Sequence, residues 1–143
     1  MKQKLNCILL IDDDVASNYI NKKIIEKANI TDKVDVVLNG KEAIEYLTNT
    51  GSYEERGDNF PQPMLIFLDI NMPVMDGWEF LQEYHKLSEN QKAHIVIVML
   101  TSSQNPDDKL RAHNISSKLG FKNKPLTIEL LNEIIATHFS DYV

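Results

Sequence analysis

A single cysteine, Cys7, stands in the 143 residues, so no disulfide can close within the chain, and that suits a reducing cytoplasm. It falls inside an apolar run, where a lone thiol behaves as a small buried hydrophobe. Long apolar runs are missing too. After Met1-Lys2-Gln3-Lys4 only seven largely apolar residues precede three aspartates, too short and too quickly charged for a signal peptide or a membrane span. Positive charge is scarce: 15 basic residues against 21 acidic ones give a net charge of -6. Without a basic stripe to release counterions, general binding to a nucleic-acid backbone is excluded. The composition, 43% apolar and 25% charged, is that of a globular chain and not a disordered one. At this length one domain, residues 1–143, is expected, burying about two-thirds of its unfolded surface.

What the sequence does contain is a series of apolar runs, each ending in a polar residue. Met64 to Leu68 stops at Asp69, and Asn71, Pro73, Asp76 and Gly77 then supply loop chemistry before an amphipathic run from Trp78. Ile8 to Ile11 ends in Asp12-Asp13-Asp14, the run from His94 to Leu100 ends in Thr101-Ser102-Ser103, and Ser117 to Lys122 leads into Asn123-Lys124-Pro125. Runs of this kind read as strands buried on both faces. A first strand over Leu5 to Ile11 and a second over Val34 to Leu38 complete a set of five.

Between the strands the helical spacing recurs. It puts Ala16, Ile20, Ile24 and Ala28 on one face of a first helix, and Ala43, Ile44 and Leu47 on a second. Phe80, Leu81, Tyr84 and Leu87 mark the third helix, and Ile128, Leu131 and Ile135 the last. The fourth, opened by Asn105-Pro106-Asp107-Asp108, has Leu110 as its clear apolar anchor and is expected to be weakly held. Residues 49–63 lack periodicity and read as a long surface loop, and Ser88 to Lys92 as a polar connection. Strand and helix alternating five times require an α/β fold with a parallel sheet and right-handed crossovers. The doubly wound flavodoxin-like order 2-1-3-4-5, with five helices, would bring the ends of the first, third, fourth and fifth strands to one mouth.

An acidic pair, a lone aspartate in the frame D-x-N-M-P-x-M-D-G, a threonine after a strand and a Lys-Pro step resemble, in type, order and spacing, the receiver domain of two-component response regulators. The frame after Asp69 is its most specific part. The loop at 49–63 is similar to the extended connection of some stand-alone receivers, including the phytochrome-associated group. Three carboxylates brought within about 4 Å would repel by roughly 4 kcal/mol per pair at an effective dielectric near 20, so such a cluster calls for protonation or a cation. Hard oxygen ligands with no Cys or His beside them favour Mg²⁺.

The resemblance implies that Asp13 and Asp69 ligate Mg²⁺ with the backbone carbonyl of Asn71, and that Asp12 acts mainly through water. It implies a phosphoryl group carried on Asp69, held by Lys124 and Thr101, and a switch in which Thr101 moves and Phe121 swings inward behind it. Phe121 stands where many receivers have Tyr. The small Ser102 leaves access to Asp69 open, and Asn71 and Ser103 flank the path of an attacking water. Pro125 is expected to fix the loop that aims Lys124. The implied donor is a sensor histidine kinase or histidine phosphotransfer protein. The readout is a downstream protein met by the fourth helix, fifth strand and fifth helix, and homodimerisation through those helices stays open. With no output domain after the fifth helix, a stand-alone receiver that touches neither DNA nor membrane is expected.

Single features have simpler readings. Asp14 suits a helix cap, and Asp107-Asp108 a helix start. Trp78 and Phe80 suit packing, while His85, His94, His113 and His138 lack metal-ligand spacing and suit the surface. Two rival functions follow. Asp12-Asp13-Asp14-Val15 partly resembles the motif of haloacid-dehalogenase-type phosphatases, with Asp12 as nucleophile and Asp14 as acid/base, but that leaves the Asp69 frame unexplained. A pseudo-receiver binding module would lack part of the set, and this chain keeps all of it.

Overall fold

A computed structural model describes residues 3–56, 62–92 and 95–142. Its centre is a five-stranded parallel sheet in the order β2-β1-β3-β4-β5, with β1 Ile8–Ile11, β2 Val34–Val37, β3 Leu65–Leu68, β4 Val96–Thr101 and β5 Gly120–Asn123. Ile8 registers with Val34 on one side and Leu65 on the other, Leu65 with Val96, and Val98 with Gly120. The helices are α1 Val15–Ala28, α2 Gly40–Thr48, α3 Gly77–His85, α4 Glu89–Lys92, α5 Pro106–Ile115 and α6 Ile128–His138.

Strand alternation divides the core into two layers. Ile8, Leu10, Leu65, Phe67, Val98 and Leu100 face the side of Ile25 in α1 and Leu131 in α6. Leu9, Ile11, Ile66, Leu68, Ile97 and Met99 face the side of Leu47 in α2 and Phe80 in α3. Each central strand is buried on both faces, which is why it reads as a continuous apolar run. Cys7 is fully buried within this arrangement.

The structure departs from expectation in four places. Among the described residues the α-helices number six: α4 is a single turn in the polar connection, so the expected fourth and fifth helices are α5 and α6. The expected loop at 49–63 begins with a 3₁₀ helix, Gly51–Arg56, whose Tyr53 stacks edge-on against Tyr46 and donates to Glu42 Oε1 at 3.0 Å. Residues 57–61 of that loop lie outside the described residues. In α1 the buried residues are Asn18, Asn21 and Ile25, while Ile20 is 55% exposed. Leu110 and Ile128, expected inward, are exposed at 57% and 38%, and Ala112 and Ile134 take their places.

The shifts in α1 and α6 have a common cause. Isoleucines lie on more than one side of α1 and α6, so the neighbours they pack on choose the face; α1 packs on β2 and α6. α5 is held by the small buried Ala112 and by Arg111, whose guanidinium lies 4.4 Å from the Trp78 ring centre.

Candidate functional site

The sheet order reverses direction between β1 and β3, and at such a point an open α/β sheet has a crevice beyond its strand ends. Asp12 and Asp69 sit there, each one residue past its strand. Backbone bonds hold both: Asp12 N donates to Val37 O at 3.1 Å and Asp69 N to Ile11 O at 2.9 Å. Period-two alternation puts Asp12 in series with Ile8 and Leu10, and Asp69 in series with Leu65 and Phe67. Both carboxylates therefore leave the sheet on the α1 side. Thr101 continues the series of Ile97 and Met99 and belongs to the opposite side, as does Phe121, the registered partner of Met99.

Carboxylate oxygens of Asp12, Asp13 and Asp69 lie within 4.8 Å of one another. Asp12 is buried, Asp69 half-buried and Asp13 exposed. Into this group comes Lys124, whose Nζ is 2.7 Å from Asp12 Oδ2 and 3.7 Å from Asp69 Oδ2. Lys124 N donates to Thr101 O at 2.8 Å, which extends the β4–β5 ladder and aims the side chain. The Lys124-Pro125 bond is cis. The remaining carboxylate oxygens accept from backbone amides, Asp12 Oδ1 from Asp14 N and Asp69 Oδ1 from Ile70 N, both at 2.9 Å.

The electrostatics follow from this crowding. Burial, and then the charge of Asp12, push Asp69 up to about 6, with Lys124 pulling the other way. For Lys124, burial acts to lower the pKa, but the hydrogen bond to Asp12 and the charges of Asp69 and Asp12 outweigh it and the ammonium is stabilised. One cation thus faces three carboxylates. A hard divalent ion fits the donor set, because the uncompensated charge is negative and every donor in it is an oxygen.

The loop after Asp69 is built to hold this geometry. A Cβ at Gly77 would run into the Asp69 carbonyl oxygen and lie 3.0 Å from Ile70 Cα, and Gly77 N donates to Ile70 O at 2.8 Å. Asp76 caps α3 in a reciprocal box with Glu79, at 2.9 and 3.1 Å. Val74 has φ of 68°, and Met75 N donates to Pro73 O at 2.7 Å across it, a γ-turn that a β-branched residue rarely adopts. Met75 O accepts from Gly40 N at 2.9 Å, which ties the loop to α2.

Among the other expected site residues, Asn71 is exposed in this loop and Thr101 is buried, its Oγ1 accepting from Ser103 N at 3.1 Å. Phe121 is half-buried against the α3-side core. Ser102 is exposed, and Ser103 Oγ donates to Asp108 Oδ2 at 2.6 Å. Asp14 caps α1 through Ala16 N and Ser17 N, and its hydrogen bonds with Ser17 hold its carboxyl below the usual range. His85, His113 and His138 are exposed, and His94 lies outside the described residues. Asn18 was missed by the apolar pattern: its Nδ2 donates to the Asp12 carbonyl oxygen at 2.7 Å. Asparagine inside a helix is a poor helix former with a side chain suited to bonding backbone, and that was its available signal.

An acidic cluster with one lysine at the switch point of a 2-1-3-4-5 sheet defines the receiver class of α/β protein. The chain belongs to the response regulator receiver domain family, whose family model matches residues 8–136. It is 32% identical over 108 residues to "Response regulator Rcp1" of Synechocystis sp. (strain ATCC 27184 / PCC 6803 / Kazusa), covering 76% of this chain and 69% of that one. The solved bacteriophytochrome response regulator AtBRR superimposes with a TM-score of 0.80 at 30% identity, over 98% of this chain and 96% of that chain. The phosphorylated cyanobacterial phytochrome response regulator RcpA does so with a TM-score of 0.67 at 29% identity, over 92% and 89%. Among the described residues no helix is long and apolar enough to cross a membrane.

Proposed function

We propose that the protein is a phosphoacceptor that takes a phosphoryl group from a phosphohistidine onto Asp69. The observation that carries this reading is Lys124, inserted between Asp12 and Asp69 beside the third carboxylate of Asp13. An Asp69 carboxylate oxygen attacks phosphorus in line, the P–N bond to the donor imidazole breaks, and an aspartyl phosphate forms. Such a transfer asks the protein for positioning and charge neutralisation. Asp12, Asp13 and Asp69 with the Asn71 carbonyl would hold Mg²⁺, which supplies positive charge to the phosphoryl oxygens when bound. Lys124 leaves Asp12 to pair with another phosphoryl oxygen, and the Thr101 hydroxyl turns from Ser103 N to bond a third.

The new charge is read on the opposite side of the sheet. Thr101 and Phe121 share that side, so a shift of Thr101 opens space into which Phe121 moves, and the surface of α5, β5 and α6 changes. α5 suits such a change because it has few buried anchors. The donor is a sensor histidine kinase or a histidine phosphotransfer protein, and the reader is a downstream protein. The RcpA structure named above is of a phosphorylated protein, which supports the same chemistry here. The phosphatase alternative is disfavoured because Asp14, its acid/base, is engaged in capping its own helix. Asp69→Asn incubated with acetyl phosphate and Mg²⁺ should gain no phosphoryl mass while the wild type does. Equal labelling of both would remove Asp69 as the acceptor.

A further inference from the structure

Beneath the acidic cluster, on the α1 side of the sheet, lies a small cavity. Its polar lining is Asp12, Asn18, Asn21 and Asp69, and its floor is apolar side chains of β1, β3 and the end of β4. About 10 Å³ is open to the centre of a water molecule, which is room for one. Asn18 is 95% buried, since only 5% of its surface is exposed. Its Nδ2 is committed to the Asp12 carbonyl oxygen at 2.7 Å, which fixes the orientation of the amide. The other end of the amide, Oδ1, is buried with no hydrogen-bond partner among the described residues.

A buried amide oxygen without a donor is costly, and native proteins satisfy nearly all such atoms with protein or ordered water. The groups around the cavity state what is missing. Asn18 Oδ1 and the carboxylate oxygens of Asp12 and Asp69 all accept, whereas Asn21, one helical turn on, brings an amide able to donate. A water molecule matches this set: it donates once to Asn18 and once to a carboxylate, and accepts from Asn21. Three such bonds are typical of a buried structural water.

We propose that this cavity holds one ordered water, and that Asn18 is a positioning residue for the acidic cluster, acting directly on the Asp12 backbone and through that water on a carboxylate. The role rests on the phosphoacceptor reading, because it concerns the carboxylates assigned there to Mg²⁺. Second-sphere contacts of this kind orient ligands that otherwise swing freely, and their loss typically costs about tenfold or more in metal affinity.

The direct test is a crystal structure of the metal-free protein at atomic resolution. One water within hydrogen-bond distance of Asn18 Oδ1 and of Asp12 or Asp69 is expected. An empty cavity, or a protein donor on Oδ1, overturns the proposal. Asn18→Leu removes the amide and fills the space, and its Mg²⁺ dissociation constant should rise about tenfold, read from the amide resonances of Asp14 and Ile70. Ile25→Val on the same buried face should lower the melting temperature and leave that constant unchanged. An Asn18→Leu protein that melts lower yet binds Mg²⁺ like the wild type overturns the positioning role. Should the leucine variant not fold, Asn18→Ala is read in the same way. A wild type that shows the water but binds no Mg²⁺ would overturn the phosphoacceptor reading and the positioning role with it, and leave the water site standing.

Discussion

Lys124 Nζ lies 2.7 Å from Asp12 Oδ2, an ion pair between residues 112 positions apart in the chain. Asp12 is 5% exposed, so removing its partner strands a buried negative charge beside two others. Lys124→Met should therefore lower stability in metal-free buffer by about 1–3 kcal/mol, below the range for fully buried pairs because Lys124 is partly exposed. It should also tighten Mg²⁺ binding, since a competing cation is gone. Urea unfolding with and without Mg²⁺ measures both, and weaker Mg²⁺ binding in the variant would contradict the electrostatic account.

The Asp69 carboxyl, pushed up to about 6 by burial and then by Asp12, links stability to pH. Its folded pKa exceeds the unfolded value near 3.8, so the folded state holds the proton more tightly. The stabilisation is complete below about pH 4 and is lost as pH rises through about 6. Without divalent cations the wild type should lose about 1–2 kcal/mol across that window relative to Asp69→Asn, a figure discounted for solvent screening. Urea midpoints of both proteins from pH 4 to 8 in EDTA provide the comparison; parallel pH curves would show that Asp69 is not the source.

Gly77 is required for close approach, since a methyl group there meets the backbone of Asp69 and Ile70 and not a side chain that could turn away. Gly77→Ala should cost roughly 1–3 kcal/mol, the range of overpacked sites, and displace the carboxylate of Asp69. Thermal unfolding, with phosphoryl uptake from acetyl phosphate as a second reading, checks it. A variant with wild-type melting and uptake would mean that the loop yields freely.

Arg111 stacks on Trp78 and is one of the few ties holding α5 to the rest of the fold. Arg111→Met should cost about 0.5–1 kcal/mol, as expected of a cation–π pair at a partly exposed site. Hydrogen exchange should quicken in residues 106–115 before it changes in β1 or β3. Uniform acceleration over the whole chain would show that α5 does not open on its own.

The legible part of this protein was its strands. Ile8 to Ile11, Leu65 to Leu68 and Val96 to Leu100 are apolar at every position because helices cover both faces of the sheet, and a polar residue ends each run where the mouth begins. From that pattern came the parallel sheet, whereas its order and the set of Asp12, Asp13, Asp69, Thr101 and Lys124 were expectations implied by the resemblance to receiver domains. Two-residue periodicity also assigns Asp12 and Asp69 to one side of the sheet and Thr101 to the other.

Helix faces were less legible. In α1 half of the expected stripe holds: Ile24 and Ala28 pack partly buried against the core, whereas Ala16 and Ile20 are exposed and Asn18 and Asn21 are buried instead. Hydrophobicity ranks residues by transfer from water, and an asparagine whose amide is bonded inside the fold no longer pays that cost in full. The sequence by itself determined which chemical groups would stand at the ends of the strands, because a buried strand leaves few choices of residue. Only the tertiary structure decided that Lys124 would reach Asp12 first and that Asn18 would lie beneath it. Those contacts join distant segments, and their energies depend on distances of a few ångströms that no local pattern encodes.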